Sequence, residues 1–356
     1  MIQIMNDLLK ANQGLCSSRQ PGQPTGGGEL PANILKFPMK AYNAFFTPMG
    51  RKNLYYSIKK FRASLDPQYR SNGTRVYSLA NGKHFVEHRG NRLSEQIYLE
   101  GAYEPLETAV VSKIVHPGDA VIDIGANVGY YTALLDSLIK PNGTVHAFEP
   151  GEATFQRLGE TKSLLQLDRA ALHSKAICDT AGQIEFWMSD DGLDGQQSTQ
   201  KNAGLGQQAR CTRVEATTLD KFAAELSSRG TQSIAFVKCD IEGAELSMLK
   251  GAKSVLNSQD PPIWLIEHNR KVLLSHGTKS SDLLSFFADA EVFYAPMGWP
   301  PSIAVADRVT KWSGVADELP DECNLLIFPK HGKYSARVTA LHEAGLVTGC
   351  NACVTG

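Results

Sequence analysis

The chain has 356 residues, of which 42% are hydrophobic and 21% are charged, and its formal net charge at pH 7 is −1. This composition is typical of a globular protein large enough for one or two domains. The near-neutral charge argues against a general affinity for nucleic acids. The apolar runs have strand length, and the N-terminus lacks a basic region followed by an apolar core. We therefore expect neither a transmembrane helix nor a signal peptide.

The seven cysteines favour a cytoplasmic protein with reduced thiols, because their number is odd and they form no disulfide framework. Cys239 and Cys323 lie in apolar strand patterns and are expected in the core. Cys350 and Cys353 form a lone CxxC without a second pair, so no metal site is predicted there.

The first hundred residues differ in character from the rest of the chain. Residues 1–33 are interpreted as a flexible arm and linker, because the segment 17–33 is rich in Gly, Pro, Gln and Ser. Residues 34–100 are predicted to form an N-terminal extension that is partly helical and basic. Within it, residues 36–62 contain lysines and arginines but no acidic residue. A basic amphipathic helix of this kind can contact an anionic membrane surface weakly, hold a phosphorylated substrate, or pack its apolar side on the main domain.

Strand and helix patterns alternate from residue 101 to residue 330. Apolar strands are predicted at 121–124, 144–148, 170–177, 234–239, 263–266, 292–294 and 325–328, mostly separated by amphipathic helices. The segment IEFWMS indicates an added antiparallel strand, and residues 189–210 are predicted to form a long loop. Apolar strands separated by helices predict an α/β fold with a mostly parallel sheet covered on both faces. Residues 331–356 are predicted to form a C-terminal tail.

The segment VIDIGANVGYY, at residues 121–131, predicts a strand, a tight turn and a helix. In parallel α/β sheets ligands bind beyond the carboxyl ends of the strands, so this turn is a candidate binding site. It has Gly125, Asn127 and Gly129 where a dinucleotide fold has GxGxxG, which makes it a poor cradle for pyrophosphate. Asp123, at the end of the strand, would repel a phosphate and suits a cationic group.

Glu149 ends the next predicted strand, 24 residues after Gly125 (149 − 125). A carboxylate at this point can accept hydrogen bonds from both hydroxyls of a ribose. A ligand with a ribose, a positive amino group and no need for phosphates is S-adenosylmethionine. The alternative is that Asp123 and Glu149 only cap helices and Gly125 only turns the chain.

Four segments resemble successive motifs of the FkbM-type S-adenosylmethionine-dependent methyltransferases, namely HPGDAVIDIGANVGYYT, GTVHAFEP, TTLDKF and VKCDIEGAELSMLKGA. The resemblance covers about residues 101–330. It implies the class I methyltransferase fold, a Rossmann-like sheet of seven strands that is mostly parallel, with the last strand antiparallel and helices on both faces. Here that domain would follow the N-terminal extension.

The resemblance also implies roles for individual residues. The residues implied to bind the cofactor are Asp123, Gly125, Asn127, Gly129 and Glu149. The segment from Ala176 to Asp179 would border the adenine, and Asp240 would lie near the methionine part and the transferred methyl. Glu104, in GAYEPLE, is expected to close over the cofactor.

Lys238 and Asp240 follow the apolar run IAFV, and strand alternation sends both side chains to the same side. Methyl transfer to a hydroxyl needs alignment of the oxygen and removal of its proton. Lys238, Asp240 and His268 are the candidate catalytic residues, with His268 as the proton acceptor because imidazole titrates in the right range. A metal held by Asp240, Glu242 and Glu267 is the alternative, but no ligand spacing supports it and no metal site is predicted.

The resemblance therefore implies O-methylation of a hydroxyl on a sugar, glycan or other natural product, with S-adenosylmethionine as cofactor. One alternative is a nicotinamide-dependent oxidoreductase on a Rossmann-like sheet, which would require the missing GxGxxG. Another is a nucleoside-binding module without catalysis. Residues 189–210 and 296–320, with Trp299 and Trp312, are expected to cover the substrate side, where aromatic walls suit sugar rings and many other acceptors.

Overall fold

The computed structural model describes residues 74–79, 82–88, 91–189, 197–198, 209–230, 233–297 and 306–348. All of them belong to one compact unit, Ala63–Gly356. Several predicted features lie outside the described residues, namely the arm and linker of 1–33, the basic helix within 36–62, most of the loop 189–210, Trp299 and the end of the tail. In the described part of the chain, no helix is both long and apolar enough to cross a membrane.

The described strands and helices alternate along the chain. The strands are β1 (Thr74–Ser78), β2 (His84–His88), β3 (Ala120–Ile124), β4 (Thr144–Phe148), β5 (Ala170–His173), β6 (Ala176–Ile177), β7 (Gly182–Ser189), β8 (Gln197–Ser198), β9 (Ala209–Thr217), β10 (Ile234–Cys239), β11 (Ile263–Asn269), β12 (Ala290–Pro296), β13 (Val309–Lys311), β14 (Glu322–Pro329) and β15 (Val347–Thr348). The α-helices are α1 (Arg92–Glu100), α2 (Pro105–Ile114), α3 (Tyr130–Ile139), α4 (Glu152–Leu165), α5 (Leu219–Ser228), α6 (Glu245–Lys250), α7 (Lys253–Leu256), α8 (Arg270–Ser275), α9 (Ser280–Leu284) and α10 (Val338–Glu343).

The central sheet of the described structure has nine strands in the order β15-β13-β12-β14-β11-β10-β3-β4-β5. Its core of seven, from β12 to β5, is parallel except for β14, which pairs antiparallel with both β11 and β12. The predicted seven-stranded, mostly parallel class I sheet is therefore confirmed. The short strands β13 and β15 extend the sheet beyond β12 and were not predicted.

Both faces of the central sheet are covered, because neighbouring residues on each strand pack into different apolar clusters. One face, called the α3 face, packs against α2, α3 and α10 and includes Val121, Phe236, Leu265 and Leu326. The opposite face, called the α6 face, packs against α5, α6, α8 and α9 and includes Ile122, Val237, Ile266 and Leu325. Strands buried on both sides explain why they read as continuous apolar runs in the sequence.

A separate four-stranded sheet has the order β6-β9-β7-β8. The predicted antiparallel strand IEFWMS is confirmed as part of β7, which pairs with β9. The prediction of one strand over 170–177 is wrong, because the chain leaves the central sheet after His173. The Lys175 N–H donates back to the His173 carbonyl, and Ala176 then pairs with Ala216 of β9.

The described residues before 101 pack on the central domain. Leu79, Phe85 and Ile97 belong to the same apolar cluster as the α3 face of the sheet. Arg337 likewise forms an ion pair with Asp119, which ties residues beyond 330 to the start of β3. The domain boundaries at 33, 100 and 330 stay predictions.

Candidate active site

A pocket of about 180 Å³ lies beyond the carboxyl ends of β3, β4 and β10. These three strands are neighbours in the sheet, so the loops that follow them converge at one edge. The pocket is lined by the turn after β3, by the start of the loop after β4, by the segment around the end of β10, and by Leu93, Tyr103 and Phe186. This is the place where the sequence predicted a ligand.

The turn after β3 requires glycine at two positions. Gly125 has a φ of +78°, and a Cβ atom there would overlap the backbone carbonyl of Asp240. Gly129 has a φ of +92°, and a Cβ atom would lie 2.8 Å from Leu158 Cδ1. Positive φ and close packing both exclude larger residues. The glycines thus allow the turn to pack tightly against the end of β10 and against α4, which fixes the floor of the pocket.

Glu149 is a buried carboxylate that is tied to the backbone on both sides of the pocket. Its Oε2 atom accepts the Asn127 N–H at 3.1 Å, and its Oε1 atom accepts the Gly151 N–H at 2.8 Å. Burial raises the pKa of Glu149 to about 7, although these two hydrogen bonds oppose the change. Each carboxylate oxygen has a second lone pair, so Glu149 can still accept hydrogen bonds from a ligand.

Two buried oxygen atoms at this turn accept no hydrogen bond within the described structure. Asp123 is fully buried, and its Oδ2 atom accepts the Thr132 hydroxyl at 2.7 Å, but its Oδ1 atom has no such partner. The Oδ1 atom of Asn127, a pocket residue, is likewise buried without one. Unpaired buried acceptors are rare in native proteins. They indicate a ligand that brings hydrogen-bond donors or positive charge.

Lys238 and Asp240 form a charged pair at the end of β10. The Lys238 Nζ atom is 3.0 Å from Asp240 Oδ2 and 5.0 Å from the centre of the Tyr131 ring. Burial lowers the pKa of Lys238, but the carboxylates of Asp240, Asp123 and Glu104 outweigh it, and the pKa is raised overall. Lys238 is therefore protonated at neutral pH, and it can stabilise negative charge but cannot act as a base.

Glu104 lies next to this pair, immediately before α2. It has a φ of +43°, an unusual conformation for a residue other than glycine. Its Oε2 atom accepts the Tyr131 hydroxyl at 2.5 Å. Burial, and then the nearby Glu107, raise the pKa of Glu104 to about 8. Strained residues are frequent at functional sites, which fits a role beside the pocket.

Comparison with known proteins adds to this geometry. Residues 123–290 match the family model described as the methyltransferase FkbM domain. The chain is 27% identical over 175 residues to the 2-O-methyltransferase NoeI of Sinorhizobium fredii (strain NBRC 101917 / NGR234), covering 45% of this chain and 70% of that protein. It is 26% identical over 161 residues to the 31-O-demethyl-FK506 methyltransferase FkbM of Streptomyces tacrolimicus, covering 39% and 61%.

Residues 123–290 of this chain are therefore similar to an FkbM methyltransferase domain. Among solved structures it is similar to a methyltransferase FkbM from Methylobacillus flagellatus KT, with 17% identity and a TM-score of 0.36, covering 59% of this chain and 43% of that chain. It is also similar to an O-methyltransferase from Bacillus cereus in complex with SAH, with 10% identity and a TM-score of 0.37, covering 66% and 89%. The chain thus spans less than two thirds of the Streptomyces relative and less than half of the Methylobacillus protein.

The structure contradicts the prediction that His268 faces the pocket. Strand β11 continues to Asn269, so His268 points to the face opposite Glu267. It is fully buried, with Nε2 2.8 Å from Ser280 Oγ and Nδ1 3.6 Å from Cys323 Sγ. Burial, and then Arg270, lower the pKa of His268 to about 4. A neutral imidazole enclosed in the core cannot take a proton from a substrate in the pocket.

Ala176 lies on β6 of the four-stranded sheet. Its side chain packs with Cys178 and Ala216 in the small core of the four-stranded sheet, and it does not line the pocket. The expectation that the segment from Ala176 to Asp179 borders the adenine stays a prediction. From the same sheet, Phe186 of β7 reaches the pocket. The alternation of IEFWMS could have predicted that the Phe186 side chain is buried. The pairing of β7 with β9 is needed to show that this side chain faces the pocket.

A metal held by Asp240, Glu242 and Glu267 is the alternative to a proton-accepting side chain. The geometry of these residues does not support it. Within the described ranges, no three His, Cys, Asp or Glu side chains are grouped so that they could hold a metal ion. Glu242 lines the pocket in a left-handed conformation with a φ of +53°. Burial, and then Asp240 and Glu245, raise the pKa of Glu242 to about 8.

Sequence reasoning underestimated the buried acidic residues around the pocket. Glu245 is 1% exposed and accepts the backbone N–H groups of Ile241 and Gly243, both at 3.2 Å. Glu107, on α2, accepts the Asn324 amide at 2.9 Å. The signal for Glu245 was its position at the start of a helix, where a carboxylate meets free N–H groups. Glu107 and Asn324 are far apart in sequence, and only the fold brings them together.

Proposed function

We propose that this protein transfers a methyl group from S-adenosylmethionine to a hydroxyl oxygen of a sugar, glycan or other natural product. The observation that carries the proposal is that Glu149, the Gly125–Gly129 turn and the Lys238–Asp240 pair converge on one pocket, in a region similar to an FkbM methyltransferase domain. The names of the two curated relatives, a 2-O-methyltransferase and a 31-O-demethyl-FK506 methyltransferase, support oxygen as the acceptor atom.

The residues of the pocket fit S-adenosylmethionine chemically. Glu149 would hold the ribose hydroxyls with the lone pairs that its backbone hydrogen bonds leave free. The unpaired oxygens of Asp123 and Asn127 would accept hydrogen bonds from donor groups of the cofactor. When bound, the cofactor supplies a methyl group activated by the sulfonium charge.

The residues of this chain have three tasks in the proposed reaction. Lys238 fixes the Asp240 carboxylate at the pocket through their ion pair. Asp240 orients the acceptor hydroxyl and takes its proton as the new carbon–oxygen bond forms, a role typically worth about 10²–10⁴ in rate. Glu104 and Tyr131, joined by their hydrogen bond, close the pocket from the side of α2 and limit the access of water.

A nicotinamide-dependent oxidoreductase fits this pocket less well. The turn after β3 has no third glycine at the position that lets a pyrophosphate reach a helix N-terminus. The fully buried Asp123 next to it would disfavour phosphate charges. A binding module without catalysis is separated from an enzyme only by turnover, and the experiment below includes that measurement.

The test is calorimetric titration of the wild-type chain and of the Glu149→Gln variant. Each protein is titrated with S-adenosylmethionine and, separately, with NAD. In the variant, an NH2 group replaces one carboxylate oxygen and faces a backbone N–H donor. It can no longer accept a hydrogen bond from a ribose hydroxyl. We expect wild-type binding of S-adenosylmethionine only, and a Kd higher in the variant by roughly 5- to 150-fold, about 1–3 kcal/mol.

The matched control is Glu152→Gln, an exposed glutamate three positions along the same chain segment, which should leave the Kd unchanged. Transfer of a labelled methyl group to a panel of hydroxylated glycans and lipids then tests turnover. Binding of NAD in preference to S-adenosylmethionine would contradict the proposal. Cofactor binding without transfer to any acceptor would support the non-catalytic alternative.

A further inference from the structure

On the α3 face of the central sheet, a row of polar residues lies at the edge that borders the pocket. Along this face, apolar residues are followed by Asp123 on β3, Lys238 on β10, Glu267 on β11 and Asn324 on β14. Lys238 pairs with Asp123 in the strand register, and Glu267 pairs with Asn324. The row is thus a layer that the fold itself builds, independent of any loop conformation.

Asp240 continues this row directly beyond the end of β10. Its N–H donates to the Ile124 carbonyl at 3.1 Å, so the strand geometry persists to this residue. Cys239 pairs with Ile266, and the next residues in register are therefore Asp240 and Glu267. The register therefore places these two carboxyl groups side by side, at the pocket ends of neighbouring strands. Two adjacent carboxylates cannot both be ionised at low cost, so one of them must carry a proton.

Lys238 forms an ion pair with one of these two carboxyl groups. Its Nζ atom lies 3.0 Å from Asp240 Oδ2, and the two groups form an ion pair. No ion pair to Glu267 is found in the described structure, and its side chain is half-buried. Burial, and then Asp240, Glu242 and Glu245, raise the pKa of Glu267 well above its usual range. Glu267 is therefore the member of the pair that keeps its proton.

We propose that Glu267 is a positioning residue, which stays protonated at neutral pH and donates a hydrogen bond to Asp240. Asp240 is then held from two sides, by the Lys238 ammonium and by the Glu267 hydroxyl, with its carboxylate at the pocket. A fixed carboxylate needs no reorientation when it meets a substrate proton, which is how preorganised groups contribute to catalysis. This inference rests on the proposed function for its catalytic meaning, but the proton and the hydrogen bond can be tested without a ligand.

The surroundings of the pair are acidic apart from Lys238. The titratable groups that interact with Glu267 or Asp240 from the elements packed around them are Glu104 and Tyr103 before α2, Asp123 on β3, Lys238 and Cys239 on β10, Glu242 after β10, Glu245 on α6 and Cys323 on β14. All except Lys238 are acids, so each of them that ionises increases the tendency of Glu267 to hold its proton. Lys238 acts in the opposite direction.

The test compares two substitutions that differ only in hydrogen-bond donation. Glu267→Gln keeps an N–H donor toward Asp240 and cannot ionise, whereas Glu267→Leu has a similar volume and no donor. The control is Glu343→Gln, an exposed glutamate at the end of α10. The melting temperature of each full-length protein is measured from about pH 5 to about pH 9, together with the Kd for S-adenosylmethionine at both ends of the range.

The direction of the pH effect follows from the raised pKa of Glu267. Stability that depends on its proton is complete below the unfolded pKa and is lost as the pH rises through the folded pKa. We therefore expect Glu267→Gln to melt like wild type at acid pH and roughly 2–4 °C higher than wild type at alkaline pH. Glu267→Leu should melt lower than wild type at acid pH, and Glu343→Gln should follow wild type throughout.

For the cofactor, we expect Glu267→Gln to keep the wild-type Kd at neutral pH and Glu267→Leu to weaken binding. If Glu267→Gln and Glu267→Leu lose stability alike, the donated hydrogen bond does not exist and the inference is overturned. The same holds if the difference between wild type and Glu267→Gln does not change with pH. Absence of S-adenosylmethionine binding in wild type would instead count against the proposed function, while the melting data still decide on the proton.

Discussion

His268 shows at the level of single residues how an error of three residues in the end of a strand changes a mechanism. The sequence pattern ended the fifth strand at residue 266, and the structure extends β11 to Asn269. Strand alternation then sends Glu267 toward the pocket side and His268 into the core on the α6 face. Strand ends are set by partners such as β14, which lie outside the local pattern, so their exact position could not be predicted.

The corrected position predicts a structural effect for His268→Gln. Glutamine can still bond to Ser280 but cannot titrate. The pKa of His268 is lowered to about 4, mainly by burial, so the unfolded chain binds a proton more readily than the folded one. The stability of wild type should therefore fall as the pH drops from about 6.5 to about 4, and His268→Gln should lose less stability over that window.

Melting curves across this pH range, with S-adenosylmethionine affinity at neutral pH, test the prediction. The Kd should be the same in wild type and His268→Gln, because the side chain lies on the far side of the sheet from the pocket. His84→Gln, an exposed histidine on β2, serves as the control and should leave the acid limb unchanged. A variant with weakened cofactor binding and normal stability would restore a role for His268 in the pocket.

The other residue predictions depended on chemistry at fixed spacing and agree with the geometry. Gly125, Asn127 and Glu149 line one pocket because the ends of neighbouring parallel strands meet at one edge. Their individual roles stay predictions until the cofactor is bound. Glu107 and Asn324, by contrast, are joined through a long-range contact between α2 and β14, for which a single sequence contains no signal.

The glycine turn predicts a matched experiment at the level of structural elements. Gly125 and Gly82 have nearly the same positive φ, +78° and +77°, but no atom lies within 4 Å of a Cβ placed on Gly82. Gly82→Ala should therefore cost only the conformational penalty, about 1 kcal/mol. Gly125→Ala adds a collision with the backbone of Asp240 and should cost a further 1–3 kcal/mol or so, as overpacking does.

Chemical denaturation of both variants measures the free energy of unfolding, and cofactor titration measures the Kd for S-adenosylmethionine. Gly125→Ala should also weaken S-adenosylmethionine binding, because the loop after β10 must move away from the pocket. Gly82→Ala should leave binding unchanged. Equal destabilisation by the two substitutions would mean that the turn after β3 and the end of β10 are less tightly packed than the structure indicates.

Continuous apolar strands made the central sheet predictable, because burial on both faces gives a strong local signal. The elements that were missed have weak local signals. Strand β9, ARCTRVEAT, alternates polar and apolar residues and is partly exposed, and it was assigned in part to a loop. Helices α8 and α10 have six residues each, and β15 has two, so tertiary packing rather than local pattern stabilises them.

For the whole molecule, the acidic residues around one lysine predict an unusual dependence of stability on pH. Burial is the largest cause that raises the pKa of Glu149 and Glu245 to about 7 and of Glu104 and Glu242 to about 8. Each group therefore binds a proton more tightly in the folded state than its usual pKa of 4.5 allows in the unfolded state. Stability is fully present below about pH 4.5 for these groups, and it is lost as the pH rises through about 7 to about 8.

A cationic ligand should reverse this loss of stability, because its positive charge offsets the negative charge of the carboxylates that ionise. We expect the melting temperature of the free protein to fall between about pH 6 and about pH 8.5, and the increase caused by S-adenosylmethionine to grow over the same interval. S-adenosylhomocysteine, which lacks the sulfonium charge, should stabilise the protein with a weaker dependence on pH. Thermal shift measurements with both ligands at equal saturation provide the comparison. If the two ligands give the same pH dependence of the melting temperature, these carboxylates do not interact with the positive charge of the cofactor. They then stabilise the fold or bind the acceptor instead.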